Sequence, residues 1–294
     1  MKHNTIDGEQ EIEKVARNVL IGSKAWGKFP TPVDQIVSYA ELQVASGVDL
    51  SQVEPGFFTK KLHSLQRALS KVLAAVDLRE KIIYLDLSQR PERQNFNKLH
   101  ETGHKALTWQ RDTYVHLDDE NTLDPDADEL FERQASWFAS DALFQLERFE
   151  DEVAKLPLGI KSPLALAKTF GGSRHACLRR YVAKSKKRCA LLVLEKPKTN
   201  GEFSADIRNY FQSPSFTSEF GALQWGLKCG LDFQFMKDAK FGARLHEKGQ
   251  ITLAIASGEF VTFSYHYFNN TYNIFVLLLP PGEKIRSRTT IVTR

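Results

Sequence analysis

Two histidines four positions apart, His100 and His104, form the part of the sequence best suited to chemistry. The stretch reads KLHETGHKAL, so Glu101 directly follows the first histidine. On a helix, residues four apart lie on one face, which lets both imidazoles reach one cation while Glu101 faces the water beside it. This HExxH arrangement predicts a metal site with its own general base. The alternative is two histidines on a surface helix that binds no metal.

A metal held by these histidines needs a third protein ligand. A metzincin would continue HxxGxxH, but Leu107 and Gln110 stand at those positions. Further along, Glu132 lies on the apolar face of another predicted helix, because its spacing of three and four residues places it with Ala135, Ala139, Leu143 and Leu146. A buried carboxylate is costly unless it is paired or bound to metal, so Glu132 is the predicted third ligand.

Other carboxylates compete for this role. Glu129 falls on the predicted solvated face with Arg133, Ser136 and Ser140, and Asp124 and Asp128 lie in an acidic stretch nearby. A salt bridge between Glu132 and a basic residue is the alternative to ligation.

Two histidines, one carboxylate and an open position suit catalytic Zn²⁺, and the same ligands also hold Mn²⁺ or Fe²⁺. Such a metal lowers the pKa of bound water and polarises a carbonyl. Glu101 would then take a proton from the water and pass it to the departing amine. The pattern therefore indicates peptide hydrolysis by a zinc-type metalloendopeptidase.

The elements that must position these residues are helices around a short strand. Apolar periodicity predicts helices over residues 11–44, with a break at Pro30 and Pro32, and over 57–76. Residues 81–87, KIIYLDL, have the composition of a strand, and a Ser and Pro after it start a helix over 91–109. A second site helix spans 131–149, after an acidic loop over 116–129.

The predicted strand allows two roles. It is either a core strand or a sheet edge onto which an extended substrate adds beside the metal. In the second case, proline at Ile83 or Tyr84 would impair cleavage more than metal binding.

After Pro157 the pattern changes. Two short helical patterns around Gly171-Gly172 predict a helix-turn-helix, and we place that segment at residues 158–188. From residue 189 the chain is strand-like, at 189–195, 250–257, 259–268 and 271–279, with one helix near 218–229. We expect residues 1–157 to form the metallopeptidase-like domain and residues 189–294 a C-terminal α+β domain.

The second helix of the helix-turn-helix carries a basic cluster. Arg174, Arg179, Arg180 and Lys184 are its candidates for contact with nucleic acid or with a repressor protein. The alternatives are a unit that serves packing or docking alone, and a basic surface that is simply solvated.

The composition is that of an ordinary globular protein. The 294 residues are 42% hydrophobic and 26% charged, and the net charge of +4 is too small to argue for nucleic acid by itself. Three cysteines without metal-type spacing favour buried thiols in a reducing compartment. With no signal-peptide pattern and no apolar run long enough for a bilayer, we expect a cytoplasmic protein with no membrane partner.

The stretch RPERQNFNKLHETGHKAL followed by FERQASWFASDAL resembles the ImmA/IrrE family of metallopeptidases, particularly IrrE-type regulators of radiation and stress responses. The family pattern E-x-x-A-x-x-F-A appears as Glu132, Ala135, Phe138 and Ala139. Ser136 stands where the family usually has Asn or Asp. The resemblance is specific from about Ile82 to Leu143, and elsewhere it rests on the order of the domains.

This resemblance implies an α+β protein: a mostly helical, zincin-like metallopeptidase domain with a small sheet, a helix-turn-helix and a C-terminal GAF-like domain. It implies His100, His104 and Glu132 as metal ligands and Glu101 as the base. It also implies a helix-turn-helix repressor as substrate, cut at one site so that DNA-damage or stress-response genes are derepressed.

Two other functions remain open. One is a non-enzymatic helix-turn-helix DNA-binding regulator with a structural metal, which should tolerate Glu101→Gln. The other is a general peptidase, which would cleave casein broadly.

Overall fold

The computed structural model describes residues 8–52, 74–116, 125–199 and 201–283, with only the backbone described at 114–116. The chain divides into two compact units. The first is Met1–Phe149 with Lys168–Ser173, and the second is Glu150–Ala167 with Arg174–Arg294. The division into three domains, with residues 158–188 as a separate one, stays a prediction.

The first unit combines helices with a small sheet. Its elements are α1 (Glu9–Gly22), α2 (Val33–Tyr39), β1 (Gln43–Asp49), a 3-10 turn (Leu50–Gln52), β2 (Ala74–Asp77), β3 (Ile82–Leu85), α3 (Pro91–Ala106), α4 (Thr108–His116) and α5 (Pro125–Phe144). Helix α6 (Glu147–Ala154) crosses the boundary between the units. A mixed α+β fold is thereby confirmed.

The strand predicted at residues 81–87 is present as β3. It lies in the middle of the sheet, whose order is β1-β3-β2, and it runs parallel to β1 and antiparallel to β2. Because both sides of β3 are hydrogen-bonded, the prediction that a substrate adds to this strand is wrong. Ile83 and Leu85 are buried, so β3 is a core strand.

Helix α3 follows β3 and carries the HExxH residues. It begins with Pro91 in the first turn, where the missing backbone N–H costs nothing. The predicted helix over 91–109 is confirmed as far as Ala106. There the extended backbone of Leu107 (ψ 97°) interrupts it, and α4 continues from Thr108.

Close packing of α3 on α5 brings the two predicted site helices together. Gly103 makes this possible, since a Cβ there would lie 3.1 Å from Phe138 Cδ1 and 3.2 Å from the Cα of Ala135. Helix α5 also packs against α1, and Phe138 and Ala139 are fully buried in this core. Helix α3 contacts β2 and β3 as well, so both α5 and the small sheet hold this helix in place.

Four predicted elements of this unit need correction. The helix predicted over 131–149 is broken at Gln145 and Leu146, whose positive φ of 53° separates α5 from α6. Val44, predicted as helical, lies in β1, where its β-branched side chain suits the parallel pairing with Ile83. Residues 74–76, predicted as the end of a helix, form part of β2, while 53–73 lie outside the described residues. Residues 125–129, predicted as loop, open α5, where Pro125 and acidic side chains suit a first helical turn.

The second unit is built on an antiparallel sheet. Its elements are α7 (Lys161–Phe170), shared with the first unit, α8 (Arg174–Ala183), β4 (Ala190–Glu195), β5 (Ala205–Gln212), α9 (Pro214–Phe220), β6 (Lys228–Cys229), α10 (Gln234–Lys240), β7 (Leu245–Ala254), β8 (Phe260–Asn269) and β9 (Asn273–Leu279). The strand order is β6-β5-β4-β9-β8-β7.

Helix α8 packs on β4 and β5, and its residues Cys177, Leu178 and Val182 are fully buried. A separate aromatic core includes Phe216, Phe235, Phe263, Tyr265 and Tyr267. The predicted strands at 189–195, 259–268 and 271–279 are confirmed, and the strand predicted at 250–257 is present in part as the end of β7.

The helix predicted near 218–229 is wrong for most of its length, because α9 ends at Phe220 before Gly221 (φ 69°) and residues 228–229 form β6. The pattern did not predict β5 or α10. Two short helices around Gly171-Gly172 are present as α7 and α8. Their assignment as a DNA-binding helix-turn-helix, and the GAF-like assignment of the sheet, stay predictions.

The cysteines are buried and free, as expected. Burial raises the pKa of the Cys189 and Cys229 thiols to about 12. Among the helices that the structure describes, none combines the length and the apolar character needed to cross a bilayer.

Candidate metal centre

Helices α3 and α5 bring His100, His104 and Glu132 to one point. Nε2 of His100 lies 3.2 Å from Nε2 of His104. The carboxylate of Glu132 completes the triangle, with Oε2 3.1 Å from His100 Nε2 and Oε1 3.4 Å from His104 Nε2. Potential ligand atoms from two helices therefore face each other, although His100 and Glu132 are 32 positions apart in the chain.

These separations fit a tetrahedral metal site. Ligand atoms about 2.0–2.1 Å from a tetrahedral Zn²⁺ lie about 3.3–3.4 Å from one another. The two imidazole nitrogens and the two carboxylate oxygens of the triangle have similar separations, 3.1–3.4 Å. Two imidazoles and a carboxylate are also a donor set that divalent transition metals accept. The triangle could hold a metal ion, and its donor atoms do not distinguish Zn²⁺ from Mn²⁺ or Fe²⁺.

Glu101 lies beside the triangle on α3 and is 6% exposed. Burial raises the pKa of its carboxyl group, although the two neighbouring imidazoles favour the charged form. The side chain is thus held next to the ligand atoms with little competing bulk water. Such a position suits a group that exchanges protons with a reactant at the site.

The neighbouring charges of the triangle shift the pKa values of its titratable groups. The side chain of Glu132 is 54% exposed, so the buried position predicted from the sequence is wrong. Its partial burial opposes ionisation, but hydrogen bonds with His100 and His104 outweigh this effect and lower the pKa of the carboxyl group. Burial likewise opposes the charged form of His104, yet Glu132 and Glu101 raise the pKa of its imidazole. The negative charge of the two carboxylates therefore attracts positive charge to this point.

Two outer residues that sequence analysis did not assign to the site contact the far nitrogens of the histidines. Oε1 of Gln110 lies 2.8 Å from His104 Nδ1, and Ser136 Oγ lies 3.2 Å from His100 Nδ1. The placement of Ser136 on a solvated face was therefore wrong. A signal was available, because Ser136 is four residues after Glu132 and so shares its side of the helix. Gln110 follows the helix break at Leu107, which no helical spacing anticipates.

Comparison with protein families decides what this site belongs to. Residues 58–181 match the model of the M78 peptidase family, described as the IrrE N-terminal-like domain. The chain contains an IrrE N-terminal-like domain. The match includes α3, α4 and α5 and hence the metal triangle. It confirms the resemblance inferred from HExxH and the downstream E-x-x-A-x-x-F-A pattern.

The IrrE-like domain and the C-terminal unit together also resemble a solved structure. A protein described as a Mycobacterium tuberculosis transcriptional regulator matches with a TM-score of 0.55 over 94% of this chain and 78% of that chain. At 12% identity this likeness shows the fold alone. No curated protein matches the sequence.

Among the described residues, the competing carboxylates Glu129 and Asp128 are not part of the triangle. Glu129 has a side chain 72% exposed and pairs with Arg133 at 3.6 Å, and Asp128 lies in the first turns of α5. Asp124 falls outside the described residues.

The basic residues of α8 lie in the second unit, where two of them contact aromatic rings. The guanidinium carbon of Arg174 is 5.5 Å from the ring centre of Phe268, and that of Arg179 is 5.3 Å from the ring centre of Phe211. Arg180 is only 9% exposed, whereas Lys184 is exposed. A role for these residues in nucleic-acid or repressor contact stays a prediction.

Proposed function

We propose that this protein is a cytoplasmic, metal-dependent endopeptidase that cleaves a helix-turn-helix transcriptional repressor at one site and so derepresses DNA-damage or stress-response genes. The observation that carries the proposal is the triangle of His100, His104 and Glu132 with buried Glu101 beside it, inside an M78 peptidase domain. Zn²⁺ is the metal we expect, because this ligand set with an open position is typical of catalytic zinc.

In this mechanism His100, His104 and Glu132 would hold the ion, and Glu101 would transfer the proton. When bound, the ion would polarise the scissile carbonyl and acidify the attacking water. Glu101 accepts a proton from that water and gives it to the nitrogen of the departing amine. Glu101 is buried beside the triangle, whereas the side chain of Glu132 is 54% exposed to solvent.

The repressor substrate is supported by the resemblance of residues 58–181 to the IrrE N-terminal-like domain and, less specifically, by the domain order predicted from the sequence. A second unit of more than a hundred residues, built around its own core, gives the protein a body that a general peptidase for small peptides does not need. We propose that this unit senses a signal or places the substrate.

The test is co-expression of the protein with the helix-turn-helix repressors encoded in its own genome. Wild-type protein should yield one discrete, metal-dependent repressor fragment, and Glu101→Gln should reduce its rate of formation by roughly 10²–10⁴-fold, the usual contribution of a general base. Glu129→Gln is the matched control, since it makes the same chemical change on an exposed carboxylate outside the triangle. Equal cleavage by wild type and Glu101→Gln would overturn the proposed mechanism.

A non-enzymatic regulator is the alternative, and the fold of the mycobacterial transcriptional regulator gives it support. It would bind metal and DNA in both the wild-type and the Glu101→Gln forms. Absence of any fragment, together with salt-sensitive DNA retardation by both forms, would favour it.

A further inference from the structure

A chain of buried amide and indole groups leads from α4 and α5 to His104. Trp109 Nε1 donates to Gln134 Oε1 at 2.9 Å, and Gln110 Nε2 donates to the same oxygen at 2.9 Å. Gln110 Nε2 also donates to the carbonyl of Phe131 at 3.1 Å. Gln110 is fully buried and Gln134 is 5% exposed, so these bonds lie in the interior.

The two ends of this series of hydrogen-bonded groups, Trp109 and Phe131, fix the direction of each hydrogen bond between them. The Trp109 indole N–H can only donate, so the group of Gln134 facing it must be the oxygen. The Phe131 carbonyl can only accept, so the group of Gln110 facing it must be the amide nitrogen. Turning the Gln110 amide over would point its oxygen at two acceptor oxygens in a buried place, which is costly.

The remaining atom of the Gln110 amide, Oε1, therefore faces His104 Nδ1 at 2.8 Å as an acceptor. A neutral imidazole carries its hydrogen on one nitrogen only, and both nitrogens of His104 face an acceptor oxygen. Gln110 Oε1 is the nearer one, 2.8 Å from Nδ1, whereas Glu132 Oε1 is 3.4 Å from Nε2, so the geometry favours the hydrogen on Nδ1 and the lone pair on Nε2. That lone pair points at the triangle, 3.4 Å from Glu132 Oε1.

We propose that Gln110 is a positioning residue that favours the Nδ1–H tautomer of His104, the tautomer in which the Nε2 lone pair faces the proposed metal site. His100 differs in this respect. Its partner is the hydroxyl of Ser136, which can either donate or accept and so does not fix a tautomer. Gln110 lies six residues after His104, at the spacing where a metzincin would have its third ligand. Here its Oε1 instead contacts Nδ1 of His104, the ring nitrogen opposite the one that faces the triangle.

The first test is nitrogen NMR of the imidazoles in metal-free wild-type protein, at a pH where His104 is neutral, with His104 assigned by the loss of its signals in His104→Ala. We expect the hydrogen on Nδ1. In Gln110→Met, which keeps the volume but removes the acceptor, the hydrogen should move to Nε2, where Glu132 accepts it. Gln110→Glu, with its buried carboxyl group protonated so that the O–H takes over a donor role of the amide N–H, keeps an acceptor facing Nδ1 and should keep the Nδ1–H tautomer.

Metal affinity provides the second readout, measured by competition with a chelator for Zn²⁺. Loss of an outer hydrogen bond to a metal-bound histidine typically weakens binding about 10–100-fold, and we expect this for Gln110→Met, with most of the affinity retained in Gln110→Glu. Gln94→Met is the matched control, since Gln94 lies on α3 but donates to the backbone carbonyls of Leu87 and Gln89. It should leave both readouts unchanged.

A wild-type hydrogen on Nε2, or an unchanged tautomer and affinity in Gln110→Met, would overturn the inference. If Gln110→Met does not fold, the tautomers of wild type and Gln110→Glu still decide it. The proposed role of Gln110 rests on the proposed metal site, because the role is to orient a metal ligand. The tautomer measurement does not rest on it, because it uses metal-free protein. Failure to find a cleaved repressor would leave the tautomer result standing, and a wrong tautomer would leave repressor cleavage standing.

Discussion

Helices α3 and α8 both carry a conspicuous set of polar side chains, yet the structure directs the two sets differently. On α3, the Nε2 atoms of His100 and His104 lie 3.2 Å apart and meet a carboxylate from another helix. On α8, Arg174 and Arg179 lie over separate aromatic rings of their own unit, and Arg180 is buried. The first set converges on one point and the second spreads over a packing surface.

This difference shows which feature of a sequence pattern carries chemistry. A metal site needs unlike groups at a fixed separation, so HExxH constrains geometry as well as residue type. A basic cluster in a sequence specifies only charge. Its guanidinium groups can form cation–π contacts with aromatic rings of the same protein and need not bind a partner. Substitutions on the two helices should therefore affect different properties of the protein.

The largest expected effect is on metal binding. Glu132→Gln should weaken Zn²⁺ affinity by more than the roughly 100-fold upper range for loss of an outer partner, because it replaces a charged ligand of the triangle. Glu129→Gln, the same change three residues earlier on α5, should leave affinity unchanged. Competition with a chelator measures both variants. Equal affinities would show that Glu132 forms a salt bridge and is not a ligand.

A smaller effect is expected on the acid stability of the second unit. Burial, followed by the charges of Arg208 and Arg179, lowers the pKa of His175 to about 4. The unfolded chain binds this proton more tightly, so stability is complete above the unfolded pKa near 6.5 and falls as the pH drops toward 4. Allowing for the partial exposure of the ring, we expect a loss of about 1–2 kcal/mol.

Hydrogen exchange of the β9 amides, corrected for the intrinsic pH dependence, measures this loss. His175→Gln has no proton to take up, so its stability should fall less over the same range. Parallel curves for the two proteins would contradict the assignment of this acid sensitivity to His175.

The smallest effect concerns the basic helix. Arg179→Ala should destabilise the second unit by about 0.5–1 kcal/mol, the contribution of an exposed cation–π contact. Lys184→Ala removes an exposed cation of the same helix and should change stability by less than about 0.5 kcal/mol. Urea unfolding followed by exchange of the β5 amides compares them. A larger effect of Lys184→Ala would mean that α8 does not use its charges as the structure indicates.

Much of the site could be predicted from sequence because its constraints are local. His100, Glu101 and His104 follow from helical spacing, and Glu132 follows from an acidic residue on an otherwise apolar stripe. The residues that contact the Nδ1 atoms of the two histidines were harder to predict. The position of Gln110 depends on the break at Leu107, which no Gly or Pro at that point of the sequence marks.

The fold was predicted less completely where tertiary contacts decide the structure. Val44 and residues 74–76 continue helical patterns but pair in the sheet with β3, so pairing overrides periodicity. For the same reason β3 could not be placed at the centre or edge of its sheet, since its neighbours come from distant segments. Strand β5 has mixed burial with little alternation, which explains why no pattern signalled it.

The central claim is that one residue, Glu101, performs proton transfer at a metal that three other residues hold. The most direct measurement is cleavage of the purified repressor by wild-type and Glu101→Gln protein, with the metal content of each sample measured alongside. We predict equal metal content and a cleavage rate reduced roughly 10²–10⁴-fold in Glu101→Gln. Equal rates at equal metal content, or cleavage by wild-type protein that holds no metal, would contradict the account.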